Sequence, residues 1–234
     1  MLESITSFTA VAQQAAFIAA LTASSSIAFE AAVRGCRIPA VRRLPRVEVS
    51  LAHSHEALME AGAIVREQYR GRGYHFRDDT TAEAHRGARR PAHVILARDE
   101  GRLVGTLTLG LDSHAGLRVE ESHPEAVAAA RADGRRLGEL VRFAVREAAN
   151  ARSVLAAIFN AAHGLSTVHR LDDLYIEVNP RHVGFYRRAL CFQVAAEERV
   201  CPRVGAPSVL MRLALQDLSE KIGVLETALD AAPR

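Results

Sequence analysis

The run Asp172 to Phe192, DDLYIEVNPRHVGFYRRALCF, constrains the fold of this chain more than any other, because it prescribes a strand that turns directly into a helix. Leu174, Ile176 and Val178 alternate with Tyr175, Glu177 and Asn179, the two-residue period of a strand. Asn179 then stands where an N-cap side chain accepts a helix N–H, and Pro180 fills the first helical position, where its missing donor costs nothing. Val183, Tyr186 and Leu190 recur at i, i+3 and i+7 as one apolar face, while Arg181, His182, Arg187 and Arg188 fall mostly elsewhere. The helix stop carries Cys191 where glycine would ordinarily supply a left-handed cap. By periodicity alone this is an ordinary strand-to-helix step of an α/β domain.

A second run, GRRLGELVRFAV from Gly134 to Val145, reads as a strand with a carboxylate in it. Glu139 shares a face with Leu137, Val141 and Phe143, and burying a carboxylate there raises its pKa or demands a partner. One reading pairs Glu139 with Arg142, which needs a bulge because i and i+3 point to opposite faces of a regular strand. The other makes Glu139 a general base.

The remaining elements follow in chain order. Residues 1–46 form an alanine-rich N-terminal extension and linker, with Phe8, Val11, Phe17 and Leu21 suggesting a helix. Glu3 replaces the basic start of a signal peptide, and no apolar run is long enough to span a bilayer. A packed or swapped helix is expected ahead of an interfacial membrane helix. Val47 to Ala52 alternates as a strand, Ser54 is placed to cap, and Ala57, Leu58, Ala61, Ile64 and Val65 give a helical period that breaks at Gly71 and Gly73. GYHFRDDTTAEAHRGARRP has no period and reads as a long loop, functional or disordered, whose Asp78 and Asp79 pair with the neighbouring arginines or, as the second reading, hold a substrate ammonium. His93–Arg98 and Leu103–Leu111 are hairpin strands, and Gly105 and Gly110 mark a bulge or a close approach. A short helix spans Glu125 to Ala132 and a longer one Asn150 to Val168. The last strands are Gln193–Glu197 and Ser208–Leu215, and residues 216–234 form an amphipathic C-terminal helix packed on the domain or on a second copy.

Four segments carry a family resemblance. The strand ending in Asn179, with Phe185-Tyr186 on the next helix, resembles the acceptor half of the GNAT acyltransferases. VNPRHVGFYRRAL, GTLTL…DS…GL and CPRVGAP are similar to the N-acyl amino acid synthases, and Glu139-Leu140-Val141-Arg142-Phe143-Ala144 to the E-x-S-R-F-A pattern of the related acyl-homoserine lactone synthases, with Val141 in place of Ser. The resemblance covers roughly residues 47 to 215. It implies an α/β (α+β) fold: a mixed, mostly antiparallel sheet with splayed middle strands, flanked by helices. It implies transfer of a long-chain fatty acyl group from acyl carrier protein to the amine of an amino acid. Glu139 is then the general base, Tyr186 the proton donor to the leaving thiolate, and a backbone N–H near a bulge the oxyanion donor. Arg142 and Arg70 are candidates for the substrate carboxylate and Asp78 for its ammonium. Tyr74, Asn179 and Phe143 complete the expected binding set. Cys191 as a nucleophile falls at a structural stop, and direct transfer is the superfamily's usual route.

Composition excludes other classes. With 234 residues, 49% of them hydrophobic, the chain builds one good core. A net charge of +3, without a basic tract interleaved with aromatics, argues against nucleic acid, although arginines cluster at Arg66–Arg90 and Arg131–Arg136 and suit a small acidic partner. Three cysteines without metal-ligand spacing suggest free thiols in the cytoplasm, and His53-x-His55 lacks further ligands, so no metal is expected. Arg146 to Arg152 holds no glycine of the kind that cradles the pyrophosphate of CoA. The expected donor is therefore the acyl-phosphopantetheine of acyl carrier protein, with no tightly bound cofactor. The alternatives are lactone synthesis from S-adenosylmethionine, CoA-dependent acetyl transfer, and a non-catalytic lipid-binding module.

Overall fold

A computed structural model describes residues 47–74, 90–146 and 151–216. The N-terminal helix, the loop with Asp78 and Asp79, the segment 147–150 and the C-terminal helix beyond residue 216 lie outside the described residues. Seven strands form one sheet in the order β1-β2-β3-β4-β5-β7-β6. They are β1 (Val47–Leu51), β2 (Ala92–Asp99), β3 (Arg102–Leu111), β4 (Leu137–Val145), β5 (Asp173–Val178), β6 (Gln193–Cys201) and β7 (Ala206–Ala214). Every pairing is antiparallel except that of β4 with β5, which is parallel and joined by a helical crossover.

The helices divide between the two faces by strand alternation. Helix α1 (His55–Gly71) starts at Ser54, whose Oγ accepts from the Ala57 N–H at 3.1 Å, and buries Ala61 and Ile64 over Leu96 and Leu103. The same face carries a 3₁₀ turn (Arg118–Glu121) and helix α2 (Pro124–Ala132), over Leu137, Tyr175 and Leu210. On the other face lie helix α3 (Ala151–Val168) and helix α4 (Val183–Leu190), which follows a 3₁₀ turn at Pro180–His182. Val154, Ile158, Leu165, Leu190 and Phe192 build the main core there with Ile95, Leu107, Leu140 and Ile176. Each such side chain contributes about 1.5–3 kcal/mol by leaving water.

Both suspected glycines mark close approaches. A Cβ on Gly105 would stand 2.8 Å from Val154 and Ile158, and one on Gly110 would stand 2.8 Å from the Glu139 Cγ. Gly110 faces Glu139 across the β3–β4 ladder, so its bare Cα makes the room that the Glu139 side chain fills.

Three sequence expectations are corrected. Cys191 itself takes the left-handed conformation at φ 60°, so helix α4 does have an αL stop, with a side chain in place of glycine. Strand β6 continues to Cys201 instead of ending at Glu197; it is an edge strand exposed on both faces, so its polar run shows no alternation. The Arg131–Arg136 cluster is consumed internally: Arg131 bonds Asp112 and Glu120, Arg135 bonds buried Asp173, and Arg136 bonds Asp172.

Candidate active site

The site follows from how β4 and β5 part. They pair only from Leu137↔Asp173 to Leu140↔Ile176, yet β4 runs on to Val145 and β5 to Val178. A bulge in β4 begins the separation. Thr106 pairs with Ala144 and Thr108 with Val141, so Arg142 and Phe143 together oppose Leu107 alone, and Arg142 takes φ 55°. Past that point the two strands share no ladder, and their unpaired edges line a cavity of about 330 Å³. That is the lower end of the range for small-molecule sites.

Apolar and aromatic groups make most of the wall, among them Leu140, Val141, Phe143, Ile176, Val178 and Tyr186. The Tyr186 ring is set by edge contacts to Phe159, Phe185 and Phe192 at 6.4, 5.5 and 6.0 Å. Burial, with Tyr69 adding to it, raises its phenol pKa, so at neutral pH the hydroxyl is a proton donor. Tyr69 also lines the cavity, and burial pushes its pKa up to about 12. Arg72, His182 and Phe185 line the cavity while exposed to solvent, which locates its opening.

The expected residues separate into groups. Tyr186, Arg142, Phe143, Tyr74 and Asn179 all line the cavity. Asn179 also caps the turn after β5, its Oδ1 accepting from the Arg181 N–H at 3.3 Å. Tyr74 stacks edge-on against Tyr69 and accepts from Arg181 Nη2 at 3.3 Å. Arg70 is exposed on α1 and does not line the cavity; its helix neighbour Tyr69 does, because one step along a helix turns a side chain by about 100°. Asp78 lies outside the described residues.

Glu139 stands behind the wall. It is 2% exposed and absent from the cavity lining, and its Oε2 accepts from the Val119 N–H at 3.0 Å. Burial raises its pKa, against the opposing pull of the Arg118 and Val119 N–H groups.

The carboxylate that does line the cavity is Glu177, which sequence reasoning passed over as an outward residue of its strand. Arg203 Nη2 donates to its Oε2 and Ser208 Oγ to its Oε1 at 3.3 Å. Arg118, Arg203 and Ser208 line the same part of the wall, with Cys201, whose thiol pKa burial raises. Among the described residues no three His, Cys, Asp or Glu side chains gather as metal ligands, and no helix is long and apolar enough to cross a membrane.

Comparison with known proteins agrees with this geometry. The family model "N-acyl amino acid synthase FeeM" matches residues 60–214. The solved structure of FeeM, an N-acyl amino acid synthase from uncultured soil microbes, is 25% identical over 76% of this chain and 94% of that one, with a TM-score of 0.68. Two others are alike in fold. The acyl-homoserine lactone synthase LasI is 16% identical over 73% of this chain and 91% of its own, and an acyl-CoA N-acyltransferase from Pseudomonas aeruginosa 14% over 72% and 100%, each with a TM-score of 0.52. The search of curated proteins gave no match.

Proposed function

The chain belongs to the FeeM family of N-acyl amino acid synthases, and on that premise we propose that it moves a fatty acyl group from acyl carrier protein to the amine of an amino acid. The slot between β4 and β5 carries this reading. Two strand edges left unpaired and apolar side chains on both walls suit an extended acyl-pantetheine arm.

The amine attacks the thioester carbonyl as the C–N bond forms and the C–S bond breaks. Of the two protons that the ammonium loses, one ends on the thiol and the other leaves to solvent. A backbone N–H at the Arg142–Phe143 bulge, freed from the regular ladder, meets the developing oxyanion. Tyr186 protonates the leaving thiolate, and its raised pKa keeps the proton in place until that charge forms. Arg142 lies on the wall beside the carbonyl. Holding amine and thioester in one slot supplies much of the rate.

Carrier protein is favoured over CoA as donor on two grounds. Arg146–Arg152 contains no glycine to cradle a pyrophosphate. The opening is also basic, with Arg72 and Arg181 around it and Arg187 and Arg188 exposed on α4, which suits an acidic protein surface.

Mass spectrometry of lipid extracts from cells producing the protein, beside a Tyr186→Phe control, tests the reading. N-acyl amino acids that rise with the intact protein and fall in the control support it. Acyl-homoserine lactones would replace it by the lactone reaction. Purified protein offered acyl carrier protein and CoA thioesters side by side then decides the donor.

A further inference from the structure

We propose that the wall formed by Glu177, Arg118 and Arg203 is the subsite for the acceptor amino acid, with Glu177 taking the α-ammonium and Arg118 the α-carboxylate. The assignment rests on the functional reading above and deepens it.

Strand register is the first observation. Glu139 sits opposite Tyr175, and the β4–β5 ladder ends one residue later at Leu140↔Ile176. Glu177 therefore lies on the same sheet face as buried Glu139, but one step past the last pair. The ladder's end, two residues along one face, separates a sealed carboxylate from one on the cavity wall. Glu177 is held without being used up. Arg203 Nη2 and, at 4.0 Å, the Cys201 thiol donate to Oε2 and Ser208 Oγ donates to Oε1, while a carboxylate offers about four acceptor sites. The remaining capacity meets a cationic donor inside the cavity, where a lone ammonium would otherwise be costly to desolvate.

The second observation is how Arg118 reaches the wall. Its 3₁₀ turn is clamped twice. Arg203 Nη1 donates to the Arg118 carbonyl at 2.6 Å, and the next N–H, that of Val119, donates to Glu139 at 3.0 Å. Glu121 of the same turn adds an ion pair to Arg203 at 3.3 Å. One guanidinium thus ties the turn that carries Arg118 to the carboxylate of Glu177. Arg118 is 8% exposed and lines the cavity. Its guanidinium has five donors, enough to bind a carboxylate bidentately beside its contacts within the protein.

A negative and a positive group on one stretch of cavity wall match a ligand with an ammonium and a carboxylate on one carbon. A simple amine would engage Glu177 without Arg118, and an N-blocked acid Arg118 without Glu177. Glu139 becomes a positioning residue, acting through the turn that carries Arg118. Arg142, the earlier candidate for the carboxylate, stands on the β4 wall, across the slot from Glu177 on β5.

Calorimetric titration of the full chain with free amino acids, without any acyl donor, tests this apart from catalysis. Each proteinogenic amino acid is compared with its decarboxylated amine and its N-acetyl derivative. The wild type should bind at least one amino acid roughly 10- to 100-fold more tightly than either relative, the range for a charge-assisted hydrogen bond. Arg118→Met should erase the preference over the amine, Arg118→Lys should restore part of it, and Glu177→Gln should erase the preference over the N-acetyl derivative. Loss of the preference over the amine in Arg142→Met alone would move the carboxylate to the β4 wall. Thermal melts certify that each variant is folded. Preferences that survive in folded Arg118→Met and Glu177→Gln, that vanish in Arg142→Met, or that are missing from the wild type would overturn the subsite. Intact preferences in a protein that yields no N-acyl amino acid in cells would fault the acyl-transfer reading and leave the subsite standing.

Discussion

The two halves of β4 have the same composition class and opposite duties. Leu137–Leu140 is paired on both sides, to β3 and to β5, and its carboxylate is buried with a backbone N–H as partner. Val141–Val145 is paired to β3 alone and turns its free side to a cavity. The first half holds the sheet together. The second lines a cavity because a ladder is missing. A strand becomes a site here by losing a neighbour, and the bulge at Arg142–Phe143 marks the change.

If that division is right, substitutions in the open region should change turnover and those in the closed region stability. The largest expected effect is at Tyr186, whose ring packs against three aromatics but whose hydroxyl serves the slot. Tyr186→Phe should lower kcat by about 10²-fold, the lower end for a lost acid–base group, with little change in the thermal midpoint. Steady-state turnover and a melt on the same preparation check both halves of that statement. Next comes Gly110→Ala in the closed region. The added methyl meets the Glu139 side chain at 2.8 Å, so unfolding in urea should show a loss of about 1–3 kcal/mol.

Glu139 sharpens the comparison through pH. Its folded pKa is raised by burial, so the folded state holds a proton that the unfolded state has released. The associated stability is present below the ordinary carboxylate pKa and is lost as pH rises through the folded value. Wild type should therefore lose stability relative to Glu139→Gln between acid and neutral pH. A constant difference across urea titrations at several pH values would mean that this carboxylate is not sealed. The smallest effect is expected at the helix stop. Cys191→Gly relieves a side chain at φ 60° and should stabilise by roughly 0.5–1 kcal/mol, read as a small rise in the melting temperature, with turnover unchanged.

Much of this was legible in the sequence because it is local. Alternation placed the strands within a few residues, Ser54 and Asn179 announced their caps, and Gly105 and Gly110 marked the places where backbones or side chains crowd. A bulge was suggested by the Glu139–Arg142 spacing, by the strand glycines and by the resemblance, but its position came from the register with β3. What local pattern hid was convergence. Glu177 meets Arg203 across 26 residues, and Arg203 meets Arg118 across 85, so no spacing rule joins them. Glu139 stays ambiguous in sequence for a related reason: a charged residue in an apolar strand signals either a site or a buried clamp, and its partner, the Val119 N–H of the 3₁₀ turn, lies 20 residues away. Arg70 fell one helical step from the cavity, within the error of reading a helix face without its partner.

The most direct test of the central claim is a crystal structure of the protein with an acyl-pantetheine thioether that cannot be cleaved. The account predicts the arm lying between β4 and β5 beyond Leu140↔Ile176, with its sulfur in hydrogen-bond reach of the Tyr186 hydroxyl. An arm bound elsewhere, or β4 and β5 paired through to Val145 with no slot between them, would contradict it.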